Sequence, residues 1–101
     1  MEINKTSWQE RYHASEIYTL RCKVYDQPGM LGKLITAIGQ TQAHLGTINI
    51  VGIESHSKIR DIQVYCKDKE HIDSLLSVIK GIEGIEVFSV RDDVQIGRAH
   101  V

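Results

Sequence analysis

The sequence predicts an α+β fold: a ferredoxin-like βαββαβ sandwich, with a four-stranded antiparallel sheet and two helices on one face. Three observations predict it. Two segments carry apolar residues at the helical spacing i, i+3, i+4, i+7: Leu31-Leu34-Ile35-Ile38 and Ile72-Leu75-Leu76-Ile79. Four other segments alternate apolar and polar residues or run rich in β-branched ones, as strands do. The order is strand, helix, strand, repeated once, and right-handed crossovers then put both helices on the same side of the sheet. With 101 residues, 42% of them hydrophobic, the chain has the size of one compact domain with one core.

Residues 1–15 are polar and are expected to form a leader outside the core, loose or docked on a partner. Within it, Ser7-Trp8-Gln9-Glu10 has the spacing of a capping box, and Trp8 and Tyr12, four apart, would share one face of a short helical turn. The domain proper is expected over 16–93. Glu16 to Tyr25 is the first strand, with Tyr18, Leu20, Cys22 and Val24 on the covered face. The first helix follows the corner Asp26-Gln27-Pro28-Gly29-Met30-Leu31, which holds the only proline; Gly39 weakens its end. His44 to Glu54 is the second strand, and Ser55-His56-Ser57-Lys58 a turn with no glycine, so a tight primed hairpin turn is not expected. Ile59 to Lys67 returns as the third strand. Arg60 and Asp61, costly in a sealed core, are expected to reach solvent or a partner. Asp68 suits the N-cap of the second helix, Gly81 and Gly84 flank its exit, and Ile85 to Val90 is the last strand. Residues 94–101 read as a tail or a truncated linker.

The corner is the most informative stretch. Proline lacks an amide hydrogen and has a fixed φ, so Pro28 suits the first turn of a helix. Gly29 removes a side chain where another backbone or a ligand could come close. Exposed amides at a positive helix end suit a carboxylate or another anion. Arg21, Lys23, Tyr25, Asp61, Gln63 and Tyr65 are expected on the sheet face that carries no helix, a surface suited to packing on a second copy.

Other function classes find little support. The net charge is −1 and the basic residues are dispersed, so no nucleic-acid partner is expected. No apolar run approaches the roughly 20 residues that cross a bilayer and no signal-peptide pattern opens the chain. The expected setting is cytoplasmic, with no membrane partner. Cys22 and Cys66 form no CxxC pair and read as buried apolar residues. His13, His44, His56, His71 and His100 show no metal-ligand spacing, so no metal is expected. No nucleophile–base–orienter set appears, and Gly29-Met30-Leu31-Gly32 lacks the lysine and hydroxyl of a phosphate cradle. Asp92 and Asp93 read as a solvated turn. The residues support a binding domain with no catalytic residues and no cofactor in this chain.

The strand leading into Asp26-Gln27-Pro28-Gly29-Met30-Leu31, the helix after it, and Ala43-His44-Leu45-Gly46 entering the next strand resemble an ACT domain over about residues 17–90. The resemblance implies a small regulatory module that binds an amino acid or a small organic acid between two copies. The effector would sit between the corner of one copy and the start of the second strand of its neighbour. Carried over, the backbone of Gln27, Pro28, Gly29, Met30 and Leu31 and the side chain of Asp26 would face the effector, with His44, Leu45 and Gly46 as the opposite wall. His44 departs from the Asn or Asp frequent there: it cannot hold an ammonium as Asp does, but its ring can bond a carboxylate. Ile59-Arg60-Asp61-Ile62-Gln63-Val64, Lys69-Glu70-His71, Gly84-Ile85-Glu86-Val87 and Arg91-Asp92-Asp93 are similar to the ACT domain that precedes the catalytic part of some bacterial NAD-dependent malic enzymes. The partners implied are a small-molecule effector, a homodimer or higher homo-oligomer, and an attached or separate catalytic domain. The alternatives are the ACT module of a ppGpp synthetase/hydrolase and a pure dimerisation domain.

Overall fold

A computed structural model describes residues 8–12 and 14–93. Ser7 of the capping box, the side chain of Trp8, His13, and the tail over 94–101 lie outside the described residues. In chain order the elements are α1 (Trp8–Tyr12), β1 (Glu16–Tyr25), α2 (Met30–Gln40), β2 (His44–Ile53), β3 (Ser57–Cys66), α3 (Lys69–Lys80) and β4 (Ile85–Asp92). The strands form one sheet in the order β2-β3-β1-β4, and every neighbouring pair is antiparallel. This is the βαββαβ sandwich expected.

The alternation in β1 decides the two faces. Tyr18, Leu20, Cys22 and Val24 are buried, and their neighbours on β3 include Ile62 and Val64. The helices close over this face with Leu34, Ala37 and Ile38 from α2 and Ile72, Leu75 and Ile79 from α3. Asp68 caps α3 as expected: its carboxylate accepts the His71 N–H at 2.9 Å.

The α2 stripe is rotated from the expected one. Its buried residues are Met30, Leu34, Ala37 and Ile38, while Leu31 is half-buried and Ile35 is 37% exposed. The cause lies at the corner. Pro28 sits in a turn before the helix instead of in its first turn, so the first helical residue is Met30. Met30 takes the core-facing position that the spacing gave to Leu31.

Strand limits also shift. β3 begins at Ser57, two residues early, because the connection is only Glu54-Ser55-His56, closed by the Glu54 N–H donating to Ser57 O at 2.8 Å. Neither Ser55 nor His56 has a positive φ, in keeping with the expected lack of a primed turn. β4 runs on to Asp92, which pairs with Tyr18. Asp93 is not a free turn residue: its carboxylate accepts from Thr19 Oγ1 at 2.6 Å and Arg91 Nε at 2.8 Å. β2 carries two register shifts and β4 one, so both edge strands are bulged.

The two cysteines are buried and free. Burial, with a smaller push from Asp61, raises Cys22 from the ordinary thiol value of 9.0 to about 11. Burial, helped by Asp68 and Glu16, raises Cys66 to about 12. Between these values the folded chain keeps protons that the unfolded chain gives up. The thiols therefore stabilise the fold below about pH 9, and that contribution falls as pH rises through the folded values. A thiol reagent at about pH 8 is expected to label neither cysteine until urea is added. The urea midpoint is expected to drop on the alkaline side of about pH 9.

Candidate functional site

The corner between β1 and α2 is held from three sides by backbone bonds. The Tyr25 N–H donates to Gly84 O at 2.9 Å, the Asp26 N–H to His56 O at 2.8 Å, and the Met30 N–H to Gln27 O at 3.1 Å. Gly29 has φ +88°, in the left-handed region that favours glycine. A Cβ there would meet nothing within 4 Å, so nothing in this chain crowds the position and backbone conformation is what requires glycine. The first turn of α2 has neither a side-chain cap nor an acidic residue, which leaves the positive helix end uncompensated. Asp26, Gln27, Pro28 and Gly29 are exposed, Leu31 is half-buried, and Met30 turns its side chain into the core.

Two cations on β3 bear on this corner: Lys58, which the sequence did not single out, and Arg60, which was expected with Asp61 to reach solvent or a partner. In the β1–β3 register, Lys58 faces Val24 and Arg60 faces Cys22, so both stand on the helix-covered side of the sheet. Lys58 Nζ lies 3.4 Å from Asp26 Oδ2, a loose and largely solvated pair. Arg60 is half-buried, and its Nε is a buried side-chain nitrogen with no hydrogen-bond partner among the described residues. The signal was available: residues 58 and 60 have the parity of Ile62, Val64 and Cys66. Asp61, by contrast, points to the helix-free face and binds Arg21 through Nε at 2.8 Å and Nη2 at 2.9 Å. The guanidinium lowers the Asp61 carboxyl below its ordinary value, so the pair is lost as pH falls. Arg21→Met is expected to return the Asp61 titration, followed by carboxyl NMR shifts, upward to the ordinary carboxylate range.

The other expected wall lies elsewhere. His44 opens β2 opposite Tyr65, on the helix-free face. The 11 residues of α2, about 16 Å of helix, separate the corner from this end. One chain therefore does not bring Asp26–Leu31 and His44–Gly46 together; a site with both walls needs a second copy. Leu45 is half-buried and packs against the core. Gly46 sits at a bulge, where a Cβ would run into the Gln63 side chain.

Part of the leader is docked at this same end. The Tyr12 ring stacks on Tyr65 with centroids 4.9 Å apart and lies 4.6 Å from the His44 ring. Ala14 is buried, and Ser15 donates from its N–H to Cys66 O and from Oγ to Lys67 O. His71 ties the neighbouring segments together. Its Nδ1 accepts the Lys67 N–H at 2.9 Å, which leaves Nε2 as the donor to Thr41 O at 2.7 Å. His71→Leu is expected to cost about 2 kcal/mol in urea unfolding, since it strands one amide and one carbonyl.

Among the described residues no group of three His, Cys, Asp or Glu could hold a metal ion, and no helix is long and apolar enough to cross a membrane. Three comparisons bear on the fold and the site. The family model of the ACT domain matches residues 15–89. NAD-dependent malic enzyme 1 of Bacillus subtilis (strain 168) is 29% identical over 79 residues, which is 77% of this chain and 18% of that enzyme. The chain thus spans less than a fifth of that relative's length. The crystal structure of the ACT domain from GTP pyrophosphokinase of Chlorobium tepidum superposes with a TM-score of 0.59 at 16% identity, over 77% of this chain and 99% of that one. The solution NMR structure of the same domain gives 0.55 at 17% identity, over 75% and 83%.

Proposed function

The chain belongs to the ACT domain family, whose members are regulatory, non-catalytic modules, and on that premise we propose that it binds an amino acid or small organic acid and dimerises to regulate a metabolic enzyme. The observation that carries the reading is the corner itself. It presents an uncapped helix end, a glycine held in the left-handed region with open space above it, and the Asp26 carboxylate beside Lys58. On the same side of the sheet Arg60 has a buried guanidinium nitrogen with no partner among the described residues, a group whose desolvation an incoming carboxylate would offset. The regulated enzyme is a malate oxidoreductase in this reading. Support comes from the malic enzyme relative, which shares 29% identity across most of this chain, whereas the GTP pyrophosphokinase domain at 16% carries the fold alone.

The mechanism is linkage. An effector that touches the corner of one copy and the His44 end of its neighbour binds one arrangement of the pair better than another. It then shifts the pair toward that arrangement by its difference in affinity. Calorimetry with a panel of amino acids and small organic acids, on a sample shown to be dimeric, tests the reading. Heat and saturation with one of them are expected; a dimer that binds none of them overturns the sensing role. Gly29→Leu separates sensing from assembly. It is expected to cost roughly 1–2 kcal/mol through φ strain and to abolish effector heat while leaving the dimer intact. An unchanged effector response in that variant would mean the corner only starts a helix.

A further inference from the structure

At the far end of the sheet from the corner, Tyr12, Gly39, Gln42, Ala43, His44 and Lys67 line a cavity of about 590 Å³. That volume is in the range of small-molecule sites. From this cavity we infer a second binding site, for a planar aromatic carboxylic acid that lacks an amino group. The cavity shares His44 with the end of β2 that the regulatory reading uses, and the rest of its lining lies outside that reading, so the test below separates the two.

Each wall has a chemical character. The Tyr12 ring is fixed by its stacking on Tyr65 and its contact with His44, so an aromatic wall is in place without the entropy cost of ordering it. The Lys67 ammonium makes no ion pair among the described residues. Arg11, outside the lining, holds its guanidinium carbon 5.9 Å from the Tyr12 ring centroid. The Gln42 amide and the His44 imidazole add hydrogen-bonding groups at the rim.

Among the described residues no carboxylate lines the cavity, and Asp68, next to Lys67 in sequence, spends its own on the His71 amide. An ammonium group would therefore face Lys67 and no carboxylate among the described residues, which sets aromatic acids apart from aromatic amino acids. The frame is also rigid. His71 bridges Thr41 O and the Lys67 amide, Thr41 Oγ1 donates to Ile38 O at 2.9 Å, and the Gln42 N–H donates to Gly39 O at 2.9 Å. Gln42 is held at φ 68°, the one non-glycine residue with positive φ among those described. Gly39 keeps its side of the cavity open: a Cβ there would meet nothing within 4 Å.

The test is an NMR titration of the full chain with trans-cinnamate, with L-phenylalanine and cyclohexanecarboxylate as comparison probes. Trans-cinnamate at about 1 mM, the weak end of specific affinity, is expected to shift resonances of Tyr12, Gln42, His44 and Lys67. The other two probes are expected to bind at least about tenfold more weakly. Lys67→Gln is expected to weaken cinnamate by about tenfold or more, the worth of a charge-assisted contact. Gly39→Met fills the cavity from an exposed helical position and is expected to abolish binding while the urea midpoint is kept or raised. The proposal is overturned if cinnamate shifts nothing, if phenylalanine binds as well, or if either variant binds as the parent does. It is also overturned if the shifts map to Asp26–Leu31, alone or together with His44, an outcome that would credit the effector site between two copies and not this cavity.

Discussion

Gly84→Val is expected to lower stability by about 3 kcal/mol, although residue 84 lies in an exposed connection between α3 and β4. Two effects add. Gly84 has φ +96°, a conformation that a β-branched residue adopts only under strain. A Cβ there would also press on the Cε and Sδ atoms of Met30, the first residue of α2. The end of a methionine side chain can swing away, so the second effect is the smaller one locally. Its consequence is transmitted, however, because Met30 is buried and cannot move without disturbing the corner. Gly84→Ala is expected to cost less, roughly 1–2 kcal/mol, almost all of it φ strain. A double-mutant cycle with Met30→Ala in urea divides the two effects. The double variant is expected to be more stable than the sum of the single losses, since the space vacated by Met30 receives the valine. Simple additivity would show that strain alone accounts for the loss.

Leu34→Ala is expected to cost about 3 kcal/mol, and Ile35→Ala less than about 1 kcal/mol. Leu34 is fully buried between α2 and the sheet, while its neighbour Ile35 is more than one-third exposed. The first substitution opens a cavity beneath the helix whose leading turn forms the corner. Faster amide exchange at Met30 to Lys33 is therefore expected along with the lost stability. The contrast also checks the rotated stripe, because the spacing alone ranks the two residues together. Equal losses would restore the arrangement read from the sequence.

That pair shows how far the sequence could be read. Element types and order were legible because alternation in β1 and helical spacing in α2 and α3 are strong periodic signals, and Asp68 marks the start of α3. The phase of α2 was not, because Leu31 and Ile35 fit an apolar stripe as well as Met30 and Ala37 do, and which face packs is set by the sheet beneath the helix. The corner was legible as a place for a ligand. The buried nitrogen of Arg60 was not, since charged residues at the start of a strand resemble a solvated end until the register with Cys22 is known. The docking of Tyr12 on Tyr65 was beyond reach for a similar reason. More than fifty residues of sequence separate the two rings, and no local pattern specifies contacts at that distance.

The strand order β2-β3-β1-β4 has a consequence for the path by which the chain acquires its structure. Among the described strands only β2 and β3 are neighbours both in sequence and in the sheet, so only that hairpin closes a short loop. The central strand, β1, pairs with Ser57–Cys66 on one side and with Ile85–Asp92 on the other. During synthesis it therefore waits for both, and a chain that has reached Lys80 still holds its first strand with one edge unsatisfied. The last strand made closes the sheet against the first. Folding is expected to be slow for a domain of this size, and truncation before Asp92 is expected to produce an aggregating chain in place of a smaller stable domain.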